Sequence, residues 1–151
     1  MIGIGARSGV AAEAVRDLIG QVAEAYGLNL DSAMVATVES KLDEPGLVRA
    51  LAPSVPVGVP AAVLAGVEVP HPSDRAARAV GTPSVAEAAA LHTAYRLAGR
   101  AGPGPAVTLV VPKTAGDGVT VAVARYQRSL CSTLRPREET RWTPGEGAGG
   151  P

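Results

Sequence analysis

Residues 1–20 read MIGIGARSGVAAEAVRDLIG, and the fold turns on how that stretch is divided. Met1 to Ala6 alternates into a short strand. From Val10 to Tyr26, the residues Val15, Leu18, Ile19, Val22 and Tyr26 recur at helical spacing, with Glu13, Arg16, Asp17 and Glu24 opposite. The unit is strand, turn, amphipathic helix. Its three glycines invite comparison with the dinucleotide fingerprint, in which a tight Gly-rich turn after a strand lets the backbone approach a pyrophosphate at a helix N-terminus. The spacing here is G-x-G-x-x-x-G, one residue too long in its last interval, and Gly3 and Gly5 fall where the strand itself should be. The turn is therefore Arg7-Ser8-Gly9. A Rossmann-like dinucleotide- or phosphate-binding module, with Glu39 on a ribose, is the alternative functional reading that this spacing disfavours.

Outward from that unit, Gly27 suits the left-handed position that closes a helix. MVATV (Met34–Val38) is then a second, β-branched strand with Glu39-Ser40-Lys41 at its exit. Pro45 opens a short helix through Leu51, and SVPVGVP (54–60) predicts a poor strand suited to an edge, since Pro56 cannot donate to a central ladder. Three helical pieces follow: PAAVLAG from Pro60, SDRAARAVG with Ser73 as N-cap and Gly81 as stop, and TPSVAEAAALHTAYRLAG from Thr82. In the last, Thr82 with Pro83 fits N-cap and first position, while Ser84 with Glu87 offers a competing capping box. Ala86, Ala88, Ala89, Ala90 and Ala94 present little bulk, which allows close approach to a sheet. VTLVV (Val107–Val111) and VTVAVA (Val119–Ala124), joined by PKTAGDG, predict a hairpin. The pattern as a whole predicts an α/β three-layer sandwich with a mixed, mostly parallel sheet and a C-terminal β-hairpin. One domain is expected over 1–134, and the Pro- and Gly-rich residues 135–151 are expected to be a disordered tail.

A chain of 151 residues, 46% hydrophobic, suits one domain with its own core. Fourteen basic residues balance 14 acidic ones, so no global field draws nucleic acid or an acidic membrane, and any anion site must be local. Residues 1–20 lack the layout of a signal peptide, and no apolar run approaches the roughly 20 residues of a membrane span. A single cysteine, Cys131, forms no intrachain disulfide and suits a reducing compartment, which predicts a cytoplasmic protein. His71, His92 and Cys131 have no metal-ligand spacing. Lys41 and Lys113 are the only lysines in an otherwise arginine-based set of cations.

Four stretches in order, GIGARSGV, ATVESKLDEPGL, VPHPSDRAARAVGTPSVAEAAAL and LVVPKTAGDGVTVAVAR, span nearly all of residues 2–125. Together they resemble the family comprising CobE and the C-terminal domain of CbiG, from cobalamin biosynthesis. The specific parts are the G-x-R-x-G turn, the K-x-x-E-x-G-L from Lys41 to Leu47, and VGTPSVAEAAAL at Val80–Leu91. The resemblance implies a corrinoid (tetrapyrrole) intermediate as ligand, with any cobalt carried by that substrate and no cofactor of the protein's own. It also implies other cobalamin-pathway enzymes as partners. Two activities are open under it. One is cobalt-precorrin-5A hydrolase chemistry, a lactone opening and deacylation associated with CbiG. The other is the accessory, intermediate-binding role associated with CobE, which better suits a chain without the other CbiG domains. Relatives often carry a second basic residue just after the position of Lys113, whereas PKTAG here has none.

In open α/β sheets, ligands bind outside the carboxyl ends of the strands, so the loops Arg7–Gly9, Glu39–Glu44 and Gly81–Ser84 are expected to converge. A polycarboxylate ligand needs fixed donors at several points. Arg7, Ser8, Gly9, Lys41, Glu44, Thr82, Ser84 and Lys113 are the candidates for binding it. Each has a plainer account: Arg7 facing solvent, Ser8, Thr82 and Ser84 as helix caps, Gly9 serving the turn, and Lys41 with Glu44 as an ion pair. Should chemistry occur, Glu44 or Glu39 is the candidate general base.

Overall fold

The structure is a computed structural model that describes residues 1–70, 84–100 and 106–127. Its elements follow in the order β1 (Ile2–Ala6), α1 (Ala12–Tyr26), β2 (Val35–Val38), one 3-10 turn (Glu39–Lys41), α2 (Pro45–Leu51), β3 (Val57–Val59), α3 (Ala61–Ala65), α4 (Val85–Arg100), β4 (Ala106–Ala115) and β5 (Val119–Gln127). The expected helix over 73–81 with Ser73 and Gly81, the candidates His71, Thr82 and Cys131, and the tail 135–151 lie outside the described residues.

The strands form a mixed five-stranded sheet in the order β3-β2-β1-β5-β4. β1, β2 and β3 are parallel, β5 is antiparallel to β1, and β4 is antiparallel to β5. The two Pro-flanked or bulged strands, β3 and β4, take the edges, where missing or misaligned ladder hydrogens cost least.

The alternation in the sequence gives the sheet two unlike faces. Ile2 and Ile4 of β1, with Val119, Val121 and Val123 of β5, pack with Val15, Leu18 and Val22 of α1 and Leu47 and Leu51 of α2. The residues between them are small. Ala36 and Val38 of β2 pack with Ala88 and Ala89 of α4, and Ala122 and Ala124 of β5 with Ala86, Ala90 and Ala94. Small side chains on both partners bring α4 down onto the backbone of β1. A Cβ built on Gly3 would fall on the carbonyl oxygen of Ala86 and 2.6 Å from the Ala90 nitrogen, whereas one on Gly5 would lie 2.7 Å from Thr120 Oγ1 of β5 and only in ordinary contact with Val85. Gly3 seats the helix, Gly5 makes room for Thr120, and both lie within β1 rather than in a nucleotide loop. Ala89 is fully buried. Ala89→Leu is therefore expected to cost about 1–3 kcal/mol, read as a lowered denaturation midpoint. An unchanged midpoint would mean that the helix can lift at no cost, against the packing described.

Three expectations need correction. Tyr26 does not join the buried stripe of α1; it is 46% exposed at the last turn, just before the C-cap Gly27 at φ 61. Ser8 is not the N-cap of α1, which begins at Ala12 with Ala11 as a cap that makes no side-chain bond. The β4–β5 connection is shorter than PKTAGDG: β4 continues to Ala115 through register shifts between Leu109 and Val111 and between Val111 and Thr114. Such bulges accommodate Pro112 within an edge strand. No helix among the described residues is long and apolar enough to cross a membrane.

Candidate functional site

At the carboxyl end of β1 the chain turns through Arg7-Ser8-Gly9-Val10, and the Val10 N–H donates to the Arg7 carbonyl at 3.2 Å. Gly9 has φ 80, the positive value that the third position of a type II turn requires. The Arg7 N–H donates to the Gly118 carbonyl at 2.8 Å, so the β1 exit is fastened to the tip of the β4–β5 hairpin. The rest of the turn is held from the β2 exit. Lys41 Nζ donates to Ser8 Oγ at 2.8 Å, and the Gly9 N–H donates to Glu44 Oε1 at 2.9 Å.

This pairing accounts for the K-x-x-E-x-G-L spacing residue by residue. The 3-10 turn over Glu39–Lys41 aims Lys41 at the β1 turn. Glu44 is the N-cap residue of α2 yet makes no side-chain bond to its own helix, and its carboxylate crosses to Gly9 instead. Gly46 lies in the first turn of α2, and a Cβ there would fall on the Val10 carbonyl oxygen. Leu47 is fully buried in the core beneath. At the far end of α2, Arg16 Nη2 of α1 donates to the Arg49 carbonyl at 2.7 Å. The two sequence motifs are therefore the two halves of one contact. The lysine and glutamate reach the Arg7–Gly9 turn with their side chains rather than each other.

A second cluster forms where α4 starts. Ser84 is buried and serves as the cap: its carbonyl accepts from the Ala88 N–H at 3.0 Å, and its Oγ accepts from the Glu87 N–H at 3.5 Å. Glu87 is fully buried, and its Oε1 accepts the Lys113 backbone N–H at 2.9 Å across to β4. Beyond its place in a capping box, Glu87 was missed by reasoning from sequence. The available signal was its register: on α4 it shares a stripe with Ala90, Ala94 and Ala98, all buried, where an acid is out of place unless something binds it.

The arrangement puts unpaired cations beside fixed hydrogen-bond donors. Arg7 is exposed and Lys113 half-buried, and neither side-chain cation has a partner among the described residues. Lys41 is half-buried and already bonded. Of the candidate bases, Glu39 is exposed and Glu44 is engaged by Gly9. His92 is half-buried on α4; burial, and then Arg96 one turn on, hold its imidazole below the ordinary histidine range. Among the described residues, no three of His, Cys, Asp and Glu come together in a way that could hold a metal ion.

A solved structure of CobE, described as a protein from the cobalamin (vitamin B12) biosynthetic pathway, is similar to this chain with a TM-score of 0.71 and 36% identity. The match covers 84% of this chain and 91% of that one. A solved structure of the cobalamin biosynthesis protein chiG from Agrobacterium tumefaciens strain C58 is similar with a TM-score of 0.55 and 31% identity, over 82% of this chain and 94% of that one. Comparison with curated proteins gives no match. The family model described as cobalamin synthesis G C-terminus matches residues 1–124, which takes in the β1 turn, the β2 exit, the start of α4 and the hairpin, and the chain belongs to that family.

Proposed function

We propose that this chain binds the carboxylates of a corrinoid precursor at the rim formed by the β1 and β2 exits, the start of α4 and the β4–β5 hairpin, and carries that intermediate between enzymes of cobalamin biosynthesis in the cytoplasm. The observation that carries the reading is the fastening of the Arg7–Gly9 turn to the β2 exit through Lys41–Ser8 and Gly9–Glu44, beside a guanidinium with no partner among the described residues. Corrin precursors display carboxylates around a flat, largely apolar ring. Arg7 offers such a group a planar fork and Lys113 a point charge, from separate elements fixed by backbone bonds. Cobalt, where present, arrives in the substrate. The placing of Gly3 and Gly5 within β1, with Gly3 directly under α4, disfavours a dinucleotide at the same loop. Family membership keeps lactone hydrolysis as the second reading, with Glu39 or Glu44 activating water. The use of Glu44 to hold Gly9 favours carriage.

The test mixes the purified protein with cobyrinic acid, a corrin bearing free carboxylates, and follows retention of pigment with the protein on gel filtration, with product release assayed in parallel. Retention without turnover is the expected result. Tight binding of NAD(P) with no pigment retained would overturn the reading.

A further inference from the structure

We propose that Glu87 is a positioning residue of this rim: buried in α4 and bonded to the backbone of the β4 bulge, it fixes the arm that presents Lys113 to a ligand carboxylate. The inference rests on the reading above and adds a residue that lies beneath the contact surface.

Glu87 is the only carboxylate among the buried described residues. Burying an acid is costly unless its oxygens are hydrogen-bonded, and alanine, the residue one and two turns on at Ala90 and Ala94, would continue the close-packed stripe without that cost. Among the interactions of this acid, one provides an acceptor at a particular point of β4. β4 is an edge strand, its register with β5 slips between Val111 and Thr114, and Pro112 has no N–H. Within that slip, the Lys113 N–H is directed to Glu87 Oε1. The start of α4 is itself seated on Gly3 of β1, the strand that leads into Arg7. Glu87 thus ties the slipped segment of β4 to the frame that carries Arg7. The Lys113 ammonium, with no partner among the described residues, is left for a ligand.

The experiment measures cobyrinic acid binding by the full chain across a salt series, with thermal melts to establish folding and amide exchange read at Lys113. Lys113→Ala and Glu87→Ala should each weaken binding by about 10-fold and flatten its salt dependence alike. The double variant should bind no worse than Lys113→Ala, because positioning has no value once the cation is gone. Glu87→Gln, whose amide oxygen can still accept, should recover most of the loss and keep the Lys113 amide slow to exchange. Should Glu87→Ala not fold, Glu87→Asp withdraws the acceptor by one methylene while keeping the charge. It should show fast exchange at Lys113 together with the same weakened binding. Wild-type-like binding by a folded Ala or Asp variant whose Lys113 amide exchanges fast, or additive losses in the double variant, would overturn the inference while leaving the rim reading intact. Failure of the wild type to bind the probe would overturn both.

Discussion

Replacing Gly3 by valine is expected to destabilise the protein severely. The new Cβ would coincide with the Ala86 carbonyl oxygen and sit 2.6 Å from the Ala90 nitrogen, both of them backbone atoms of α4. No rotamer change relieves that contact; the helix must lift. Lifting it separates Ala86, Ala90 and Ala94 from Ala122 and Ala124, and Ala88 and Ala89 from Ala36 and Val38, so two of the three core clusters open together. The cost should reach about 4 kcal/mol or more, in the range reserved for the severest core substitutions, against a total stability of about 5–15 kcal/mol for a domain of ordinary size. Gly20 supplies the control. It lies exposed within α1 with nothing near an added Cβ, so Gly20→Ala should stabilise by about 0.5–1 kcal/mol through helix propensity. The measurement is circular dichroism with denaturant titration of both variants. A folded Gly3→Val protein with an unchanged midpoint would mean that α4 does not rest on β1.

Why these glycines are in the strand was half legible beforehand. Their spacing already argued against a nucleotide loop, and the alanines of the long helix already suggested close approach to a sheet. What alternation alone does not supply is the pairing of the two facts, because the residues that meet, Gly3 and Ala86, are far apart along the chain. The same limit explains the motifs. G-x-R-x-G and K-x-x-E-x-G-L each read as a local pattern, and only the parallel pairing of β1 with β2 makes Ser8 the partner of Lys41 and Gly9 the partner of Glu44. Where local chemistry decides, the reading was close: α2 starts at Pro45, α1 closes on Gly27, and β3, flanked by Pro56 and Pro60, lies at an edge. Where local chemistry misleads, tertiary contacts overrode it. A proline such as Pro112 favours a turn, yet here a bulge absorbs it into β4. Ser8 would cap a helix in isolation, but it lies in the turn before Ala11 and accepts from a lysine instead. Glu87 looked like half of a capping box and proved also to be an acceptor for a distant strand.

The largest functional effect is expected from removing Arg7 and Lys41 together. Each charge-assisted hydrogen bond to a ligand carboxylate contributes about 1.5–3 kcal/mol net, so either alanine variant alone should weaken pigment binding by about 10- to 100-fold, and the pair by about 100- to 10,000-fold. The two losses should differ in kind. Arg7 is exposed and has no side-chain partner among the described residues, so Arg7→Ala removes a ligand contact and leaves the frame intact. Lys41 also holds Ser8, so Lys41→Ala additionally loosens the turn that carries Arg7. Ser8→Ala separates these contributions: it keeps the ammonium and deletes only its acceptor. If Lys41 acts mainly as a brace, Ser8→Ala should reproduce most of its loss; if Lys41 grips the ligand directly, Ser8→Ala should bind nearly as well as wild type. Lys41→Arg should bind less well in either case, because a broad planar fork cannot replace a compact ammonium 2.8 Å from a hydroxyl between two tight loops. Added salt should weaken the wild type most and the double variant least, since screening acts on the charges the variant has lost. Binding of the folded double variant at wild-type strength in low salt would remove the rim as the ligand site and leave Lys41 and Glu44 as what their bonds to Ser8 and Gly9 already make them, the clamp that joins the second strand exit to the first.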